Sequence, residues 1–146
     1  MSDDVGQTGA SALGLALDRV GDRWSLLVVE ALLAGPRRFS DLREAVPGIA
    51  PNILTDRLRR LERSTIVHAR PYSERPLRLE YALTADGQDL ASALRLLADW
   101  GARRSAPAVH EPLRHGACGT PLETRWYCPT CGVVVQDRET APDRVV

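Results

Sequence analysis

The chain contains no lysine; all 19 of its Lys/Arg positions are arginine. That composition fits a GC-rich genome as readily as a chemical demand. It also has no net charge, with 19 basic against 19 acidic residues, so bulk charge alone points to no polyanionic partner. No cysteine precedes Cys118 and there are only 3 in all, which confines thiol chemistry to the C-terminal part. Long hydrophobic runs are missing too. The longest, Leu26 to Ala34, is interrupted by Glu30 and is too short to span a bilayer. The opening Met1-Ser2-Asp3-Asp4 is the opposite of a basic signal-peptide start. The expectation is a cytoplasmic protein with no membrane partner. There is no Gly-rich phosphate loop, no nucleophile elbow and no paired-histidine motif of a zinc protease, so the chain does not read as an enzyme. His68 falls on a strand candidate and reads as a structural histidine rather than a base. No internal repeat or low-complexity tract is present.

What is there is a local charge imbalance. Residues 1–34 hold 2 Arg against 5 acids, residues 35–80 hold 10 against 6, and residues 81–146 hold 7 against 8. The basic excess marks the middle segment, where phosphate binding would need it. In that segment Pro51 can open a helix, because the first helical N–H has no partner in any case. Leu54, Leu58 and Leu61 then recur on one buried stripe. Asn52, Thr55, Asp56, Arg59 and Arg63 fall opposite. A shorter helix over 39–46 precedes it and is broken by Pro47-Gly48. Two short helices with a tight turn, the second polar and arginine-rich outside, form the pattern of a helix-turn-helix. A helical pair that merely packs gives the same spacing.

Strand candidates follow at 66–70 and 77–83, with the polar, turn-rich Pro71-Tyr72-Ser73-Glu74-Arg75-Pro76 between them. Helix, helix and hairpin is the order of a winged helix. Upstream, Leu13, Ala16, Leu17 and Val20 make the stripe of a first helix ending at Gly21. Asp22 can cap a second helix over about 23–34, closed by Gly35-Pro36. Thr84 and Asp86 suit the start of a last long helix, with Leu90, Leu94, Leu97 and Gly101 along it. Trp24 and Trp100 read as core residues or, less simply, as pocket walls.

Four blocks in this order carry a family resemblance: 18–27 (DRVGDRWSLL), 35–42 (GPRRFSDL), 47–62 (PGIAPNILTDRLRRLE), and 74–76 with 81–87 (ERP and YALTADG). Over about residues 11–101 the chain resembles the HxlR family of small bacterial winged-helix transcription regulators. The resemblance implies homodimers on DNA, with the first and last helices as the dimer interface and the wing tip on the DNA backbone. Some members respond to aldehydes, quinones or other electrophiles through a cysteine before the first helix block, so a small-molecule effector of unknown identity is a possible partner. Here Ser11 stands about where that cysteine would be. The expected base-edge residues are Asn52, Thr55 and Arg59, then Arg57, Arg60 and Arg63. Ser40, Arg70, Tyr72, Arg75 and Arg78 are expected at phosphates.

Beyond this region, His115-Gly116-Ala117-Cys118-Gly119 and Cys128-Pro129-Thr130-Cys131-Gly132 repeat one arrangement: two ligand-type residues separated by two others, then glycine. That spacing predicts a zinc ribbon holding one structural Zn²⁺ by His115, Cys118, Cys128 and Cys131. His115 is the weakest of the four, since His110 lies nearby. A redox dithiol at Cys128 and Cys131, or a disulfide, is the competing reading. Trp126-Tyr127 reads as the small hydrophobic cap of this mini-domain. The expected organisation is a mainly α protein with a small β-hairpin wing (α+β), a winged helix-turn-helix over 10–104, a linker at 103–108, a ribbon over 110–136, and loose tails at 1–9 and 137–146. Two function classes follow. One is a sequence-specific regulator that binds double-stranded DNA as a homodimer on an inverted repeat. The other is a winged-helix and ribbon interaction module of the transcription machinery, which would show apolar anchors on the helix from Pro51.

Overall fold

A computed structural model describes residues 11–105 and 112–140. Its elements are α1 (Ala12–Val20), α2 (Arg23–Leu32), β1 (Arg37–Arg38), α3 (Phe39–Ala45), α4 (Pro51–Arg63), β2 (Val67–Glu74), β3 (Leu77–Leu83), α5 (Ala85–Ser105), β4 (Trp126–Cys128) and β5 (Val133–Val135), with a 3-10 turn at Asp137–Glu139. The chain divides into two compact units, Met1–Trp100 and Gly101–Val146.

In the first unit the helix starts follow local chemistry. Ser11 Oγ accepts from Gly14 N–H at 3.0 Å and caps α1. Asp22 Oδ1 accepts from the Trp24 and Ser25 N–H groups, both at 3.0 Å, and caps α2. Pro51 takes the first position of α4. Thr84 Oγ1 accepts from Gly87 N–H at 3.1 Å and donates to the Thr65 carbonyl at 2.5 Å, so it caps α5 and ties it to the end of α4. The core is Val28, Val29 and Leu32 of α2, Leu42 of α3, Leu54, Leu58 and Leu61 of α4, and Ile66, Val67 and Leu83 beside them. Trp24 is packed against this core, whereas Trp100 is exposed.

The sheet order is β1-β3-β2, all antiparallel. Two features differ from the sequence reading. The two-residue β1 pairs Arg37 with Tyr81 and Arg38 with Glu80; two adjacent arginines carry no alternation to announce a strand. The wing is also longer than expected, because β2 runs on through Pro71 to Glu74 and leaves only Arg75-Pro76 as its tip. Proline fits there because β2 is the edge strand, where a missing N–H breaks no ladder. The register shifts between Pro71 and Ser73, so Tyr72 stands out of the pairing.

Among the described residues, nothing covers most of the first-helix stripe. Only Val20 of α1 is buried, while Leu13, Leu15 and Leu17 are 68%, 57% and 46% exposed. On α5, Leu96, Leu97 and Trp100 are exposed as well. Between α1 and α5 lies an open cleft of about 590 Å³, with Leu15, Val20, Ile66, Asp86 and Leu90 among its walls.

In the second unit Arg103, Arg104 and Ser105 end α5 rather than starting a linker, and 106–108 lie outside the described residues. Trp126 pairs with Val135, Tyr127 with Val134 and Cys128 with Val133. Of the expected tails, residues 1–9 and 141–146 lie outside the described residues, but Asp137–Glu139 forms a turn in which Glu139 N–H donates to the Gln136 carbonyl at 2.8 Å. Among the described residues no helix is long and apolar enough to cross a membrane.

Candidate nucleic-acid interface

Helix α4 buries Leu54, Leu58 and Leu61, so the opposite side must face solvent. Asn52, Asp56, Arg59 and Arg63 are exposed there. Asn52, Arg59 and Arg63 make no hydrogen bond or ion pair with another described residue. Thr55 is half-buried at the edge of this face, and its hydroxyl donates to the Pro51 carbonyl at 2.9 Å. Its oxygen remains an acceptor. Ser40 is exposed in the first turn of α3, its hydroxyl donating to Asp41 Oδ1 at 3.3 Å.

Arg57 and Arg60 take the other side of α4. Arg57 Nε donates to Asp22 Oδ1 at 2.9 Å, and its Nη1 lies 2.5 Å from Asp56 Oδ2. Arg60 Nη2 donates to the Asp18 carbonyl at 2.8 Å. Both are DNA-contact candidates by sequence, and both side chains here reach Asp18 of α1 or Asp22 at the start of α2. Periodicity separates them from Arg59 but does not say what stands opposite. Burial raises Asp22, but hydrogen bonds from Ser25 and the charge of Arg57 outweigh it and hold its carboxyl below the usual value.

On the wing, Arg75 and Arg78 are exposed and without a described ion-pair partner. Arg70 is spoken for, its Nε donating to Glu80 Oε1 at 2.6 Å. Tyr72 is exposed, with the Arg38 guanidinium 4.3 Å from its ring centre. Arg38 escaped the sequence reading. It joins the cationic surface because it ends β1 just as α3 begins, and its own N–H donates to Asp41 Oδ2 at 3.1 Å. Tyr81 lies behind this surface; burial and then the Glu62 carboxylate push its hydroxyl up, with Arg59 opposing.

The two knuckles of the second unit are built alike. Gly119 N–H donates to the His115 carbonyl at 2.7 Å and Gly132 N–H to the Cys128 carbonyl at 2.8 Å. Both glycines have positive φ, 71° and 70°, which a side chain would strain. His115 Nδ1 lies 3.2 Å from Cys118 Sγ. The hydroxyl and N–H of Thr120, then His115, lower the Cys118 thiol to about 7. Hydrogen bonds from the Cys131 N–H and thiol lower Cys128 in the same direction. Each pair is thus closed by a glycine turn, but among the described residues no group of three or more His, Cys, Asp or Glu that could hold a metal ion is found. His110 lies outside the described residues.

With this geometry in view, the comparisons with known proteins agree. The HxlR-like helix-turn-helix family matches residues 19–108. An uncharacterized HTH-type transcriptional regulator of Mycobacterium tuberculosis (strain ATCC 25618 / H37Rv), Rv3095, is 37% identical over 136 residues, covering 90% of this chain and 84% of its own length. The candidate transcription factor PA1374 of Pseudomonas aeruginosa is similar in structure with a TM-score of 0.66 at 33% identity, covering 88% of each chain. A second one, PA1607, has a TM-score of 0.77 at 29% identity, covering 94% of this chain and 97% of its own. The chain belongs to the HxlR-like helix-turn-helix family and is a DNA-binding transcriptional regulator rather than an enzyme.

Proposed function

We propose that this regulator acts as a homodimer that reads an inverted-repeat operator through α4. The observation that carries this is the exposed face of α4. The side chains of Asn52, Arg59 and Arg63 stand free there, while the other two arginines of the helix, Arg57 and Arg60, are engaged by Asp22, Asp56 and the Asp18 carbonyl. Asparagine pairs with adenine edges and arginine with guanine edges in the major groove. Arg75 and Arg78 supply phosphate contacts from the wing. The interaction-module reading would need apolar anchors on this face, and it has none. The exposed leucines of α1 and α5 suit a second copy of the chain. The cleft between those helices would take a small-molecule effector.

The test is selection from a random duplex pool. The bound sequences are expected to form an inverted repeat whose half-sites lie about one helical turn apart, ~34–36 Å. Arg59→Ala is expected to lose preference at one base pair per half-site, a cost of about 1–3 kcal/mol. A single half-site, or an unchanged preference in Arg59→Ala, would refute the reading.

For the second unit we propose one structural Zn²⁺ held by His115, Cys118, Cys128 and Cys131. The support is the matched pair of glycine-closed knuckles and a donor set of three sulfurs and one imidazole. Zinc would tie the two knuckles together. Metal analysis of the purified protein is expected to find about one Zn²⁺ per chain, with Cys128→Ser losing it. Metal-free protein whose β4–β5 amides remain as protected as in the holoprotein would end this proposal.

A further inference from the structure

One carboxylate has more partners than helix capping needs. Asp22 Oδ1 accepts from two α2 amides and Oδ2 from the Ser25 hydroxyl at 2.7 Å, which by itself completes the cap. Yet Oδ1 also accepts from Arg57 of α4 at 2.9 Å, and Arg60 Nη1 stands 3.7 Å from Oδ2. Arg60 reaches on to the Asp18 carbonyl at 2.8 Å. Asp18 belongs to α1, so α1, α2 and α4 meet around a single side chain. The three groups are sheltered: Asp22, Arg57 and Arg60 side chains are 25%, 23% and 36% exposed.

We propose that Asp22 is a positioning residue for DNA reading: it sets the rotation of α4 about its own axis and keeps Arg57 and Arg60 off the phosphates. The proposal rests on the reading of α4 given above. Burial of Leu54, Leu58 and Leu61 is non-directional and by itself lets the helix roll. A charge-assisted hydrogen bond is directional and resists rolling. It also changes the electrostatics. Helix α4 carries four arginines, Arg57, Arg59, Arg60 and Arg63. With all four free it would bind any duplex through charge alone, since phosphate contacts carry no sequence information. Asp22 offsets one of these charges and, with Asp56 and the Asp18 carbonyl, holds Arg57 and Arg60 aside, which leaves Arg59 and Arg63 on the reading face. Its effect is to lower affinity for DNA in general and raise selectivity.

The experiment uses the full chain, the duplex selected by wild-type protein, and a random-sequence duplex, over a range of salt. Asp22→Asn keeps a carbonyl acceptor for the two α2 amides, and removes the charge together with the Oδ2 acceptor of the Ser25 hydroxyl. It is expected to bind the random duplex about tenfold tighter at low salt, and to steepen the slope of log K against log salt by about one to two units. Arg57→Gln alone is expected to leave the slope at the wild-type value. Combining Asp22→Asn with Arg57→Gln and Arg60→Gln should restore it. An unchanged slope in folded Asp22→Asn overturns the proposal. So does a slope lowered by about one unit in Arg57→Gln, which would place Arg57 on a phosphate in the wild type. Should Asp22→Asn fail to fold by circular dichroism, the Arg57→Gln slope still decides, because that variant keeps the cap. Wild-type protein that binds no duplex overturns the DNA reading itself, and this proposal with it; that result is distinct from any change in slope.

Discussion

Leu58→Ala is expected to lower the unfolding free energy by about 2–5 kcal/mol. Leu58 is 1% exposed and sits between Leu54 and Leu61 on the stripe that holds α4 against the core. Truncation removes its transfer energy and leaves a cavity that the close-packed core around it fills only in part. Domains of this kind have about 5–15 kcal/mol in total, so the loss is a large share. Urea unfolding checks it through the midpoint at constant slope. Arg59 is the next residue, on the solvent side, and its truncation should leave the same midpoint within about 0.5 kcal/mol. A Leu58→Ala variant as stable as Arg59→Ala would mean that α4 is not anchored by this stripe.

The second large effect has a sign opposite to the one helix propensity gives. Gly87 lies in the first turn of α5, where alanine is ordinarily favoured by roughly 1 kcal/mol. A Cβ there would stand 2.3 Å from the Ile66 carbonyl oxygen and 3.1 Å from Leu83 Cδ2. The carbonyl cannot move aside easily, since it accepts from Thr84 N–H at 3.0 Å and Thr84 Oγ1 at 3.2 Å. Gly87→Ala is therefore expected to destabilise by about 1–3 kcal/mol despite the propensity gain. Thermal unfolding would show it, and a midpoint at or above wild type would show that α5 can slide from the strand at little cost.

These two residues mark what a sequence discloses and what it does not. Leu58 announces itself by period, as do Asp22 and Pro51 by their places at helix starts, because those signals are local. The winged-helix order was readable for that reason. Gly87 reads only as a weak helical residue, since its neighbour is Ile66, twenty-one positions away. The contacts of Arg57 and Arg60 are hidden for the same reason: nothing in the stretch from Pro51 to Arg63 tells that Asp22 lies across from it. Strand β1 has two residues and becomes a strand only because β3 offers an edge. Pro71 looked like a turn residue because the sequence does not say which strand is at the edge.

That short strand also has a mechanical meaning. Arg38 is at once the last residue of β1 and the residue before α3, so no linker residue separates the sheet from the first helix of the helix-turn-helix. The inner wing strand, β3, is clamped to the same segment. The wing is thus joined to the helix-turn-helix twice, through β1 and through the chain that leads from α4 into β2. On the proposed reading, this pairing constrains the spacing between the bases met by α4 and the phosphates met by Arg75 and Arg78. A single residue inserted between Arg38 and Phe39 would put a free joint between β1 and α3 and loosen that connection.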